Sequence, residues 1–153
     1  MDDLDEITEI ERVCFPAAEA AGRESFARRL STYPEHFWVM EKGGQIISFI
    51  NGMVTDDPDL KDEMYDNASL HKEDGDWQMI FGVDTLPEFQ RHGYAGRMLD
   101  YVTEEARKQG RKGLVLTCKE KKIDFYARHG YKNEGVSGST HGDVLWYQMR
   151  NTL

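Results

Sequence analysis

WQMIFGVDTLPEFQRHGYAGRMLDYV, residues 77–102, runs through three patterns in succession. Residues 77–85 are mostly apolar, as a buried strand is. Residues 90–96 place two glycines and an alanine behind a Gln-Arg-His triplet. From there Ala95, Leu99, Val102 and Ala106 fall four, three and four apart, the apolar face of a helix that should run to about Gln109 and stop at Gly110. A strand, a glycine-rich turn and a helix start bring backbone N–H groups and the positive end of a helix dipole to one point, which suits a phosphate. Gly93 permits a positive φ or close backbone approach, Ala95 and Gly96 keep Cβ bulk away, and Arg91, His92 and Arg97 offer donors or charge at the rim. Gly96 is followed by Arg97 and Met98, which excludes a Walker-type loop, and a dinucleotide fingerprint lacks its third glycine and its distal acid. Taken alone, such a loop also reads as a tight turn that holds nothing.

Working outward, Leu4, Ile7, Ile10, Val13 and Cys14 recur at helical spacing before Pro16 ends the run. A second short helix is expected from about Glu24 to Ser31, with Phe26 and Leu30 packed and Arg28 and Arg29 solvated. HFWVMEKGGQIISFINGMV (36–54) reads as a hairpin turning at Gly43-Gly44. Residues 54–76 are polar and acidic with little periodicity, a long loop of the kind that is functional or a surface excursion. Beyond the central helix, GLVLTCK (113–119) has buried-strand length, KKIDFYARHG (121–130) fits a short helix ended by Gly130, and two last strands are expected at 131–136 and 143–150. This order predicts an α/β (α+β) fold, a central mixed sheet flanked by helices, in a single domain over 1–153.

The chain has 153 residues, 39% hydrophobic and 11% aromatic, enough for one ordinary core. Its formal charge of −9 argues against a broad nucleic-acid surface; it would attract cationic ligands such as amines or simply keep the chain soluble. An acidic start and the absence of a long apolar run predict a cytoplasmic protein without a membrane span. The two cysteines, Cys14 and Cys118, fall in a helix and a strand pattern and read as buried free thiols. His36, His129 and His141 are isolated, with no metal-ligand spacing, and surface or capping roles are expected for them. Trp38, Trp77 and Trp146 all lie in strand patterns, where core packing is the default and one could line a cleft.

Q-R-H-G-Y-A, residues 90–95, resembles the Q/R-x-x-G-x-G/A signature of the GCN5-related N-acetyltransferase (GNAT) superfamily. FYARHGY (125–131) resembles that superfamily's FYxxxGF element, and EIERVCFP with the hairpin resembles the front half of the arylalkylamine branch. The resemblance implies a mostly antiparallel central sheet and acetyl-CoA as co-substrate, with no metal. By position, main-chain groups of Val83, Asp84 and Thr85 would pair with the pantetheine arm and acetyl carbonyl, and Arg91, His92, Gly93, Tyr94, Ala95 and Gly96 would wrap the pyrophosphate. Tyr126 would protonate the departing thiolate, a sensible role because a phenol pKa of about 10 exceeds a thiol's roughly 8.5. The implied reaction is direct attack of a primary amine in a ternary complex, with a small-molecule amine favoured. The alternatives are a non-catalytic coenzyme sensor or scaffold and a protein lysine or N-terminal acetyltransferase.

Two features depart from that pattern. Where the arylalkylamine branch carries two histidines on the strand before the glycine loop, this chain has Met79 and Phe81, which by the two-residue period share a face with Val83 and Thr85 and would wall the acceptor pocket. The base is therefore open among Asp76, Asp84, His71 and Glu19. The family's first strand has no counterpart before the first helix, and an uncovered sheet edge would permit a homodimer as well as a monomer. The acceptor is expected between Phe15–Glu24 and the acidic 54–76 segment.

Overall fold

The computed structural model describes residues 3–139 and 144–153. Helix α1 (Leu4–Cys14) buries Leu4, Ile7 and Ile10 and ends before Pro16. Val13, expected on its apolar face, is 43% exposed, and Glu11 is buried there instead. Helix α2 (Arg23–Thr32) packs on α1 through Phe26 and Leu30. Strands β1 (Phe37–Lys42) and β2 (Gln45–Asn51) form the expected antiparallel hairpin, and its two turn glycines both take the positive φ of a tight turn, 61° at Gly43 and 79° at Gly44.

The polar 54–76 segment is more ordered than its composition suggests. It holds β3 (Val54–Thr55), the short helix α3 (Asp62–Asp66) and a 3-10 turn at Ala68–Leu70. Leu60, Met64 and Ala68, four apart in sequence, are buried with Tyr33, Met53 and Met79 in a cluster of their own. Three apolar residues in a run this acidic give too weak a periodicity to read without the partner surface.

The apolar run 77–85 is not one strand. It is β4 (Trp77–Ile80) and β5 (Gly82–Thr85), and at Phe81 the chain leaves one sheet for the other. One sheet has the order β1-β2-β5. The second has the order β3-β4-β6-β8-β7, with β6 (Gly113–Cys118), β7 (Lys132–Val136) and β8 (Tyr147–Thr152). Strand β4 runs parallel to β6 from Trp77↔Gly113 to Ile80↔Leu116, and the other pairings are antiparallel. Beyond Ile80, β5 turns to β2 while β6 keeps its course, so the sheets part and β5 has no strand on its second edge among the described residues. The break also cancels the common face expected for Met79, Phe81, Val83 and Thr85. Met79 is fully buried in the Leu60–Met64 cluster, whereas Val83 packs toward the opposite core.

Helix α4 (Tyr94–Lys108) connects β5 to β6 and seats Leu99, Val102 and Ala106 against Ile80, Leu114 and Met149. Leu99 is completely buried there, so Leu99→Ala should cost about 2–5 kcal/mol. Helix α5 (Ile123–Ala127) follows β6, and the turn after it closes at Gly130, whose φ is +94°. The last strand begins at Tyr147 rather than 143, leaving Trp146 before it; Asp143 and His141 lie outside the described residues.

Candidate active site

The parted sheets enclose a cavity of about 390 Å³. Its walls come from the end of α1 and the following turn (Glu11, Cys14, Phe15, Glu19), from Phe81, Gly82 and Val83, from Thr117 and Cys118 of β6, and from Tyr126 of α5. The cavity thus borders the Phe15–Glu24 side where the acceptor is expected. On the other side the 54–76 segment contributes Tyr65 and Asp66, not the acids of 56–63. Those acids are engaged elsewhere: Asp56 with Lys72, Asp57 with Lys61 and Asp59 with Arg150. Of the pair expected to form an apolar wall, Phe81 does so and Met79 does not.

The glycine loop lies at the start of α4. Gly93, its N-cap, has φ +80°, and a Cβ there would meet nothing within 4 Å, so the requirement for glycine is conformational and the space in front is open. The first helical bond is donated by Arg97 N–H to the Gly93 carbonyl at 3.1 Å, which leaves the N–H groups of Tyr94, Ala95 and Gly96 ahead of the ladder. Arg91 is held at φ 65°, a left-handed conformation rare for a non-glycine residue. Arg91, His92 and Gly93 are exposed, and His92 stacks on Tyr94. Lys42, at the end of β1, reaches the Tyr94 ring at 5.8 Å and adds a cation that the local sequence does not announce. These groups fit a diphosphate: an open cradle, three N–H groups, and cations around it. Gly96 has a second duty. A Cβ there would sit 2.8 Å from the His129 ring, which rests on Phe125 and bonds Asp100 at 3.0 Å, so His129 is a packing residue.

On β5, the carbonyls of Asp84 and Thr85 already accept side-chain donors. Ser48 Oγ donates to Asp84 O at 2.7 Å; Cys14 Sγ and Gln90 Nε2 donate to Thr85 O at 3.3 and 3.0 Å. Val83 lines the cavity. Tyr126 faces the same cavity, and burial, reinforced by Cys118 and Tyr131, pushes its phenol above its ordinary range, so the proton stays on at neutral pH. Burial likewise pushes the Cys14 thiol up to about 12 and Cys118 up to about 11, which keeps both as thiols rather than nucleophiles.

Two residues expected at the surface prove to be buried. Arg29 is 3% exposed; its guanidinium donates to Asn51 Oδ1 at 3.0 Å and to Tyr65 O at 2.9 Å and lies between the rings of Phe26 and Phe81. His36 is also buried, bonding Gln78 at 2.8 Å and Glu73 at 2.9 Å, with His71 on the same carboxylate at 2.9 Å. The ligand atoms of His36, His71 and Glu73 all lie within 4.8 Å of one another. However, Val54 N–H donates to His71 Nδ1 at 3.0 Å, which puts that ring's proton on Nε2 facing Glu73, so hydrogen bonding accounts for the group. Among the candidate bases, His71 therefore serves this cluster, Asp76 faces Lys112 at 3.3 Å, and Glu19 pairs with Lys119 at 2.8 Å on the cavity wall. Trp146 is the tryptophan that lines the cavity, with Lys119 5.8 Å above its ring.

The sheet splits after β4, β5 leads into an open glycine turn at the start of α4, and a buried tyrosine faces the cavity between the parted sheets. The chain belongs to the acetyltransferase (GNAT) family, whose model matches residues 4–131. A Bacillus subtilis (strain 168) protein described as probable hydrolase YhcX is 22% identical, matching 97% of this chain but 31% of its own length, so the chain spans about a third of that relative. The structure of the GphF GNAT-like decarboxylase in complex with isobutyryl-CoA superposes with a TM-score of 0.85 at 20% identity, covering 99% of this chain and 95% of the other. The ribosomal-protein-S18-alanine N-acetyltransferase from Escherichia coli gives 0.70 at 18% identity, covering 99% and 88%. At these identities the likeness is one of fold. No helix among the described residues is long and apolar enough to cross a membrane.

Proposed function

We propose that the chain is one N-acetyltransferase domain that moves an acetyl group from acetyl-CoA to a primary amine on a small molecule, by direct attack in a ternary complex. The observation that carries this reading is that β5, with no strand on its second edge among the described residues, and the proton-holding Tyr126 open onto one cavity of about 390 Å³, a volume in the range of small-molecule sites. Main-chain groups of Val83, Asp84 and Thr85 align the pantetheine arm. Because the last two carbonyls already hold donors, that alignment falls chiefly to Val83 and to N–H groups. Arg91 through Gly96, with Lys42 nearby, hold the pyrophosphate. A backbone N–H of β5 stabilises the oxyanion as the thioester carbonyl is attacked. Tyr126 then gives its proton to the departing sulfur.

Thiol release from acetyl-CoA against a panel of phenylethylamines, tryptamine, polyamines, aminoglycosides and lysine peptides tests the reading, alongside calorimetric titration of the coenzyme. Turnover on one small-amine class is expected. Turnover confined to the peptides would make the acceptor a protein, and tight coenzyme binding with no turnover on any amine would leave a sensor.

A further inference from the structure

Glu11 of α1 and Asp84 of β5 are distant in sequence and meet beside Gly82. A Cβ on Gly82 would lie 2.9 Å from Asp84 Oδ1 and 3.8 Å from Glu11 Oε1, so both carboxyl groups crowd the space that this glycine leaves. Both are buried, Glu11 at 7% exposure and Asp84 at 1%. Glu11 Oε2 accepts the Ala21 N–H at 2.9 Å, whereas neither buried oxygen of Asp84 receives a donor. Two ionised carboxylates cannot share such a site, but one proton between them removes the repulsion and gives the orphaned oxygens a partner. Burial first, then the charge of Glu11 and the hydrogen bond to it, hold Asp84 well above the usual carboxylate range, which places the shared proton on Asp84.

The surroundings fit that charge state. Arg29, from α2, makes no ion pair within 4.0 Å among the described residues, yet it lines the same cavity as Glu11 and supplies the balancing positive charge. The other titratable groups lining that cavity are Cys14 of α1, Glu19 paired with Lys119, Tyr65 and Asp66 of α3, Lys121 and Lys122, and Tyr126 of α5. Burial raises Cys14, Tyr65 and Tyr126, so none of these three competes for the proton near pH 7. Glu11 reaches the cavity and Asp84 does not line it.

Building on the acyl-transfer reading, we propose that Glu11 is the base that deprotonates the acceptor, with Asp84 as the proton-bearing partner that positions it. The acceptor ammonium gives one proton to the Glu11 carboxylate and its nitrogen lone pair is freed. The C–N bond forms as the carbonyl π pair moves to oxygen. When that pair returns, the C–S bond breaks and the sulfur takes the Tyr126 proton. The proton shed by the new amide nitrogen restores the phenol, and Glu11 releases its own proton to solvent. Ammonium and thioester become amide, thiol and one proton.

The test compares two acceptors, an alkylamine that is protonated at pH 7 and a fluorinated amine of low basicity that is already neutral. Glu11→Gln is expected to lower kcat/KM about 100-fold on the first and little on the second, with coenzyme affinity by calorimetry unchanged. An equal loss on both amines, or no loss, overturns the base. Asp84→Asn keeps a donor to Glu11 and is expected to move the acid limb of the kcat/KM profile to higher pH. Independently of turnover, wild-type protein at pH 7 should show an infrared carbonyl band of a protonated carboxyl that Asp84→Asn abolishes; its absence from wild type overturns the shared proton. Wild-type protein inactive on every amine would remove the acyl-transfer reading and the base with it, whereas an active wild type with an unaffected Glu11→Gln would remove the base alone.

Discussion

The two halves of the cleft are built from different materials. On the proposed reading the coenzyme half uses backbone: the edge of β5 that has no strand partner among the described residues, the N–H groups at the start of α4, and the left-handed turns at Arg91 and Gly93. The acceptor half uses side chains brought together from five elements, Glu11, Arg29, Asn51, Tyr65 and Asp84 among them. A backbone-built wall depends on dihedral angles and tolerates many side chains, so its mutational sensitivity should concentrate at glycines and strained positions. A side-chain wall depends on charge balance, and its sensitivity should appear as changes in pH dependence.

The largest effect expected on this contrast is at the residue serving both halves. Tyr126→Phe removes the proton donor while leaving the ring packed against Phe125 and Tyr131, so kcat should fall about 100-fold with coenzyme affinity unchanged. Loss of coenzyme affinity instead would make Tyr126 a structural aromatic.

Asp84 gives the next effect, on stability. Its folded pKa is raised, so above the unfolded carboxylate pKa of about 4 the folded state binds more protons than the unfolded one, and stability falls as pH rises toward the folded value, by at most about 1.4 kcal/mol per pH unit. Asp84→Asn should abolish that slope and raise the melting temperature at pH 7. A variant no more stable than wild type at pH 7 would mean that Asp84 is not held protonated.

On the coenzyme half, Gly93→Ala forces an L-residue to φ +80° with no steric contact, a conformational cost of about 1–2 kcal/mol. Coenzyme affinity should drop by a corresponding factor of about 5–30. Arg91→Gly should split the two properties, gaining stability by relieving φ 65° while losing affinity with the charge.

The same contrast explains what could be read from the sequence. The glycine loop, the hairpin at Gly43-Gly44 and the stops at Gly110 and Gly130 were legible because each is a local backbone requirement, written within a few residues. The strand break at Phe81 was not, since an apolar run carries no mark of which neighbour each half will pair with. Arg29 looked solvated because its partners, Asn51 and the Tyr65 carbonyl, lie 22 and 36 residues away. Glu11 did leave a trace. Leu4, Ile7, Glu11 and Cys14 are three, four and three apart, which sets a carboxylate in the buried stripe of α1, a position where an unpaired charge is costly and a partner should be sought.

The smallest effects expected are at the acids of 56–63, and they sharpen the comparison by their absence. Charge alone suggested that this segment attracts the amine. Asp56 and Asp57 instead face Lys72 and Lys61 in solvent, pairs of the exposed kind that contribute little and are screened by salt. Asp56→Asn and Asp57→Asn should therefore leave the KM for a cationic acceptor unchanged. Asp66 is different, because it lines the cavity with Tyr65 and acts on Arg29 through space. Asp66→Asn should raise that KM and leave kcat alone, the signature of lost binding that is equal in ground and transition states. If Asp56→Asn or Asp57→Asn raises KM as much as Asp66→Asn does, the amine is drawn by the field of the whole segment, and the acceptor wall is less local than its geometry shows.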